Sequence, residues 1–191
     1  MSLIFLNFGL INSIHSYRIL RTYWRKKLAD KINFLHSVPH IFCKTRKMIN
    51  YFAFGSNMSA QRMHERLGWS PSRSGAILTD FEMVFNKHSN DGGKANIMYS
   101  PGDLVEGILY SVYEKDLVVL DKYEGVAADQ YKRYEIKVQN KNKKSILAVA
   151  YKALNTGKVS APTEVYLNYI LEGKEFLSPE YYKKLKSTET L

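Results

Sequence analysis

The sequence has little sulfur chemistry to offer. One of its 191 residues is cysteine, Cys43. An intrachain disulfide and a cysteine-based zinc site are therefore excluded, and a reducing compartment, the cytoplasm, is the expected location. No apolar run reaches the ~20 residues of a membrane-spanning helix, because the opening MSLIFLNFGLINSI is broken by Asn7, Asn12 and Ser13. No transmembrane span is expected. A Walker phosphate loop, a GxGxxG fingerprint and a GxSxG elbow are all missing, and Gly92-Gly93 reads as a turn. So are internal repeats, heptads and low-complexity stretches. The five histidines (His15, His36, His40, His64, His88) are scattered, and Pro39 breaks the helix that would align His36 with His40. No metal site is expected. A Ser56–His64 or Ser56–His88 dyad stays open as a minor alternative, with nothing marking its geometry.

Acidic residues are nearly absent from the first quarter. Residues 1–47 hold nine of the 28 Lys and Arg but only one of the 18 Asp and Glu, Asp30. The formal charge of +10 is thus concentrated there, and residues 48–191 are close to neutral. No basic face and no nucleic-acid partner are implied for that larger piece. Residues 1–47 read as a basic N-terminal extension, an upstream segment without a fold of its own. Translation from Met48, two residues before the first strand-like run, fits this reading. An organellar transit peptide and an interfacial helix are the alternatives. Residues 48–191 are long enough for one domain.

That domain alternates strand-like and helix-like stretches. Residues 50–54, 76–85, 95–100, 104–112, 131–138 and 145–153 read as strands. The third is ended by a Pro101-Gly102-Asp103 turn, and Gly107 inside the fourth signals a bend or a close backbone approach. In the last strand Ile146, Ala148 and Ala150 share one face and Leu147, Val149 and Tyr151 the other, the pattern of a strand covered on both sides. Helices are predicted over 59–68, capped by Ser59 and ended by Gly68, and over 114–125, ended by Gly125. Two more follow, TEVYLNYILEG and SPEYYKKLK, the second opened by Ser178 and Pro179. This order predicts an α+β domain, a curled, largely antiparallel sheet of about six strands with peripheral helices.

Two segments carry candidate chemistry. In Tyr51-Phe52-Ala53-Phe54-Gly55-Ser56-Asn57-Met58 a strand runs into Gly-Ser-Asn and then a helix. Such a corner aims backbone N–H groups at a carboxylate, phosphate or oxyanion, and Gly55 lets a ligand approach the backbone closely. A plain strand-to-helix turn is the competing reading. In Leu120-Asp121-Lys122-Tyr123-Glu124-Gly125-Val126, Glu124 falls at a helix C-terminus, where the dipole disfavours an anion. Tyr123 and Val126 are placed to desolvate it. Both effects raise a carboxyl pKa toward that of a general base and acid, although an exposed helix-end Glu is common. The fourteen tyrosines read as packing, since no basic stripe accompanies them.

Taken together, Phe54-Gly55-Ser56-Asn57, the stretch SPGDLVEGILY at 100–110 and Leu120–Val126 resemble the signature of the gamma-glutamylcyclotransferase family, within its AIG2-like superfamily. The family pattern is Y-G-S-N, then P-G-D with a following mid-strand Gly, then L-D-x-x-E-G, in this order. The resemblance runs on through Tyr131, Tyr151 and Ala161-Pro162-Thr163-x-x-Tyr166 and covers about 48–186. Phe54 departs from the pattern by lacking a hydroxyl. Asn57 differs from the Y-G-S-L of the glutathione-specific branch.

The resemblance implies a small mixed, mostly antiparallel β-barrel and a cofactor-independent cyclisation. The free α-amine of an L-gamma-glutamyl amino acid or amine would attack its own γ-carbonyl, giving 5-oxoproline and the free amino acid or amine. It further implies Glu124 as the catalytic base and then acid. Phe54, Gly55, Ser56, Asn57 and Met58 would bind the glutamyl part through their backbone, with Tyr131, Tyr151 and Tyr166 as pocket wall or hydrogen-bond donors. The implied partner is a small gamma-glutamyl substrate, and the chain would act as a monomer or homodimer. Two alternatives stay open: a non-catalytic small-molecule-binding or regulatory AIG2-like domain, and a gamma-glutamylamine cyclotransferase.

Overall fold

The computed structural model describes residues 47–191. The readings of the basic extension, His15, His36, His40 and Cys43 lie outside the described residues. From Met48 on, the chain builds a closed five-stranded barrel in the order β1-β3-β2-β4-β5. Its strands are β1 (Met48–Ala53), β2 (Arg73–Lys87), β3 (Lys94–Tyr113), β4 (Tyr131–Asn140) and β5 (Ser145–Ala153). All neighbours are antiparallel except β1 and β5, which close the barrel in parallel through Tyr51 and Val149. Closure leaves few unpaired edges, and alternation fills the interior. Ile108, Tyr110 and Val112, on one face of β3, are fully buried with Phe52 and Val138.

Five strands replace the expected six because 95–100 and 104–112 form one strand of twenty residues. The Pro101-Gly102-Asp103 segment is a bulge within that strand. Thr79 pairs with Leu104 and Phe81 with Tyr99, so residues 100–103 bow out opposite Asp80. Asp80 adopts a left-handed φ of 61° and its carboxylate accepts the Gly102 N–H at 3.0 Å. A turn-forming tripeptide thus re-aims a strand without ending it. Gly107 serves as its position suggested: a Cβ there would meet the Ala53 carbonyl and, at 2.9 Å, the Phe52 ring. The double-sided cover expected for β5 is incomplete, since Tyr151 is buried but Leu147 is 60% exposed.

Among the described residues four helices surround the barrel: α1 (Ala60–Leu67), α2 (Glu114–Tyr123), α3 (Glu164–Leu171) and α4 (Pro179–Lys186). Their ends follow local chemistry. Ser59 accepts the Arg62 N–H to open α1, and Gly68 closes it in the left-handed region at φ 73°. Ser178 caps α4 ahead of Pro179, while the buried Glu106 carboxylate on β3 accepts both the Ser178 N–H and its hydroxyl at 2.6 Å. Among the described residues no helix is long and apolar enough to cross a membrane.

Candidate active site

The site lies where β1, the end of α2 and the strands β4 and β5 meet. Beyond β1 the chain makes one tight 3-10 turn, Ser56–Met58, before α1 begins. Within that turn the Met58 N–H bonds the Gly55 carbonyl at 2.9 Å. Among the described residues, the N–H groups of Gly55 and Asn57 have no acceptor. Two unpaired donors at a glycine corner are suited to a carboxylate or an oxyanion. Met58 departs from expectation: its N–H is used by the turn and its fully buried side chain packs in the core.

Glu124 is the C-cap of α2, and Gly125 turns the chain away at φ 64°. Asp121, one helical turn earlier, anchors that helix end to the barrel. Its carboxylate accepts the Arg133 guanidinium of β4 through two bonds, at 2.9 and 2.8 Å, and the Tyr151 hydroxyl of β5 at 2.7 Å. The three-residue step from Asp121 to Glu124 then carries the second carboxylate over the glycine corner. There Glu124 Oε1 accepts the Asn57 side-chain amide at 3.1 Å and Arg66 Nη1 at 3.0 Å.

The Asn57 amide orientation follows from its neighbours. Its oxygen accepts Arg66 Nη1 at 2.7 Å, and its nitrogen donates to Glu124 and, at 2.6 Å, to the Tyr51 hydroxyl. A flipped amide would set oxygen against carboxylate and N–H against guanidinium. The Asn57 carbonyl accepts the Tyr110 hydroxyl at 3.0 Å, so the residue is held at both ends.

A narrow cleft opens on this cluster. It is small and open to solvent on one side. Of the residues predicted from sequence, Phe54, Gly55, Ser56, Asn57, Glu124, Tyr131 and Tyr151 line it. Tyr166 stands just behind: its hydroxyl accepts the Ala95 N–H at 3.1 Å and lies 3.2 Å from where a Gly55 Cβ would sit. Tyr131 donates to the Ala95 carbonyl at 3.1 Å. The Tyr151 hydroxyl is committed to Asp121 and the Leu117 carbonyl, so only its ring serves the cleft.

Sequence reasoning missed Tyr51 as a lining residue, Arg66, and the anchoring pair Asp121–Arg133. Arg66 sits in the stretch HERLG, which reads as an ordinary helix end, and the 58 positions separating it from Glu124 hide their pairing. The histidine dyads do not form. His64 bonds Ser70 at the surface, and His88 packs beside Gly157. Among the described residues no cluster of three or more His, Cys, Asp or Glu could hold a metal.

Burial is the first cause of each proton affinity here. It raises the Glu124 carboxyl above the ordinary range, against the opposing pull of Arg66 and the Asn57 amide. Tyr123, expected to cover Glu124, is 56% exposed and stacks under the Arg66 guanidinium at 4.6 Å instead. Burial also raises the Tyr51, Tyr131 and Tyr151 phenols, and pushes Tyr166 up to about 12. These hydroxyls stay protonated near neutrality. Glu124 is thus the carboxyl lining the cleft, with a proton affinity that burial raises.

Known proteins resemble this chain in both sequence and shape. Residues 104–185 match the AIG2-like family. A gamma-glutamylcyclotransferase of Bos taurus is 35% identical over 147 residues, 73% of this chain and 78% of the relative. One of Homo sapiens is 35% identical over 148 residues, with the same coverage. A solved gamma-glutamyl cyclotransferase structure superposes with a TM-score of 0.69 at 34% identity, over 76% of this chain and 90% of that one. The likeness extends over most of the chain and of each relative, in sequence as in barrel, and by it the chain belongs to the gamma-glutamylcyclotransferase family.

Proposed function

We propose that the chain is a gamma-glutamylcyclotransferase that converts an L-gamma-glutamyl amino acid or amine to 5-oxoproline and the free amino acid or amine. The observation that carries this reading is Glu124, a buried carboxyl of raised proton affinity beside the unpaired N–H groups of Gly55 and Asn57.

Glu124 is the general base and then the general acid. It takes a proton from the substrate ammonium, freeing the amine to attack the γ-carbonyl. The new C–N bond closes the five-membered ring as the bond to the departing nitrogen breaks. Of the three ammonium protons the lactam nitrogen keeps one, and the other two pass to the departing amine through Glu124. The Gly55 and Asn57 N–H groups are suited to the glutamyl carboxylate or to the oxyanion that forms at the γ-carbon. Tyr51 and Tyr131 supply neutral hydroxyls at the cleft wall, which orient without competing for the proton, and Tyr166 backs the glycine corner. Phe54 offers only a ring at the wall, so the hydrogen bond that a tyrosine would make there is absent. Ring closure within one molecule draws its rate from orientation, and no cofactor is required.

In this reading residues 48–191 are the catalytic domain, acting on a small cytoplasmic metabolite without a nucleic-acid partner, as a monomer or homodimer. Residues 1–47 form a basic extension outside the chemistry. The test is mass-spectrometric detection of 5-oxoproline from gamma-glutamyl amino acids, gamma-glutamyl-ε-lysine and glutathione. Release from one class supports the reading and names the leaving group. No release from any of them by folded protein contradicts it.

A further inference from the structure

Arg66 does not line the cleft, yet its guanidinium is buried with the carboxylate that does. One nitrogen, Nη1, donates both to Glu124 Oε1 and to Asn57 Oδ1. The Asn57 amide donates to the same Oε1, so three side chains close a ring of hydrogen bonds. Oε1 is therefore fully engaged. Among the described residues Glu124 Oε2 has no partner, and Nε and Nη2 of Arg66 have none either. The Tyr123 ring supports the guanidinium face at 4.6 Å. Gly68 closes α1 two residues later in the left-handed region, which fixes where the last helical turn delivers Arg66.

From this geometry we propose that Arg66 is a positioning residue for the cyclisation. It pins Oε1 of Glu124 against Asn57, so that Oε2 is the oxygen that exchanges protons with the substrate. The proposal rests on the reading of Glu124 as the base. A carboxylate with both oxygens free would rotate, and each rotation would lengthen the proton path to the ammonium. Pinned at one oxygen, it presents the other in a single direction.

The pin is charged, so it also bears on ionisation. Three cations act on Glu124: Arg66 and Arg62 from α1, and Lys87 from the end of β2. The other titratable groups facing it are the phenols of Tyr51 on β1, Tyr131 on β4 and Tyr166 on α3, which burial keeps neutral. Asp121, on its own helix, is turned away onto Arg133 and Tyr151. Of the three cations only Arg66 is within hydrogen-bond distance. Arg62 lies over the Tyr169 ring, and the Lys87 amine bonds the His88 carbonyl. Arg66 thus keeps ionised a carboxylate that its surroundings push toward the neutral form.

The test compares wild type, Arg66→Met, Arg66→Lys and Glu124→Gln. It follows 5-oxoproline release from the best gamma-glutamyl amino acid across the pH range, with melting curves run alongside. In Arg66→Met the acid limb of kcat/KM is expected to move up by about 1–3 pH units, the usual effect of a close opposite charge on a carboxyl. KM should stay within about twofold, since Arg66 does not line the cleft. Arg66→Lys keeps the charge but loses the fork. It should leave the limb in place and lower kcat. A limb unmoved in Arg66→Met, or a loss confined to KM, overturns the proposal while leaving the base assignment intact. If Arg66→Met fails to fold, Arg66→Lys decides: lowered kcat with an unmoved limb supports the pin, and unchanged kcat overturns it. Activity retained in Glu124→Gln would instead overturn the reading on which the proposal stands.

Discussion

Asp121 and Glu124 sit three positions apart at the same helix end, each hydrogen-bonded to an arginine, and their proton affinities move in opposite directions. Burial raises both. At Asp121 it is outweighed by two bonds from Arg133 and one from the Tyr151 hydroxyl, and the carboxyl ends below its ordinary range. At Glu124 a single Arg66 nitrogen and one amide donor do not offset a deeper burial, and the carboxyl ends above it. What separates the two carboxyls is therefore the count of donors set against the loss of water. Asp121 spends its charge holding α2 to β4 and β5. Glu124 keeps one oxygen unpaired.

Removing each carboxylate in turn is the severest way to break this comparison. Glu124→Gln preserves shape and is expected to lower kcat by about 10²–10⁴-fold, the range for a lost general base, with the barrel still folded. Circular dichroism and 5-oxoproline release read the two effects separately. Asp121→Asn should reverse the balance. Stability falls by about 1.5–3 kcal/mol, as for a lost charged hydrogen-bond set, and activity falls less, through a displaced Glu124. Denaturant titration at neutral pH checks the first part. A variant of unchanged stability would deny Asp121 its anchoring role.

The pH dependence sharpens the contrast further. A carboxyl whose folded pKa is lowered stabilises above its unfolded value, ~3.9, and loses that contribution as pH falls through the folded value. The stability gap between wild type and Asp121→Asn should therefore shrink in acid. A gap that stays constant as pH falls would mean that the Arg133 pairing carries no charge-dependent stability. Exchange of glycine for alanine at the corner is the mildest perturbation. Gly55→Ala would place a Cβ 3.2 Å from the Tyr166 hydroxyl and 3.3 Å from the Ala95 Cβ, with no positive φ to strain it. Those neighbours must yield by a few tenths of an ångström, so KM should rise severalfold with the fold intact. An unchanged KM would remove the corner from the binding surface.

Much of this was written locally in the chain. Ser59, Gly68, Gly125 and the Ser178-Pro179 pair announce helix ends because capping uses neighbours within a few residues. Glu124, the 54–57 corner, Tyr131 and Tyr151, singled out by ordered motifs in the sequence, all line the cleft. The unbroken β3 was not, since Pro101-Gly102-Asp103 turns into a bulge only when Asp80 lies across the ladder to receive the Gly102 N–H. Met58 was misjudged because a run of backbone donors looks uniform until a 3-10 turn uses one of them. Arg66 carries no motif at all. Its place is set by the tertiary approach of α1 to α2.

The most direct measurement is a pH titration of the side-chain carboxyl carbons of Asp121 and Glu124 by NMR, set beside the pH profile of kcat/KM. The account predicts that Asp121 titrates below the ordinary carboxyl range and Glu124 above it, with the acid limb of the profile following Glu124. If Glu124 titrates at or below the ordinary range, or the limb follows some other group, the assignment of Glu124 as the base is contradicted.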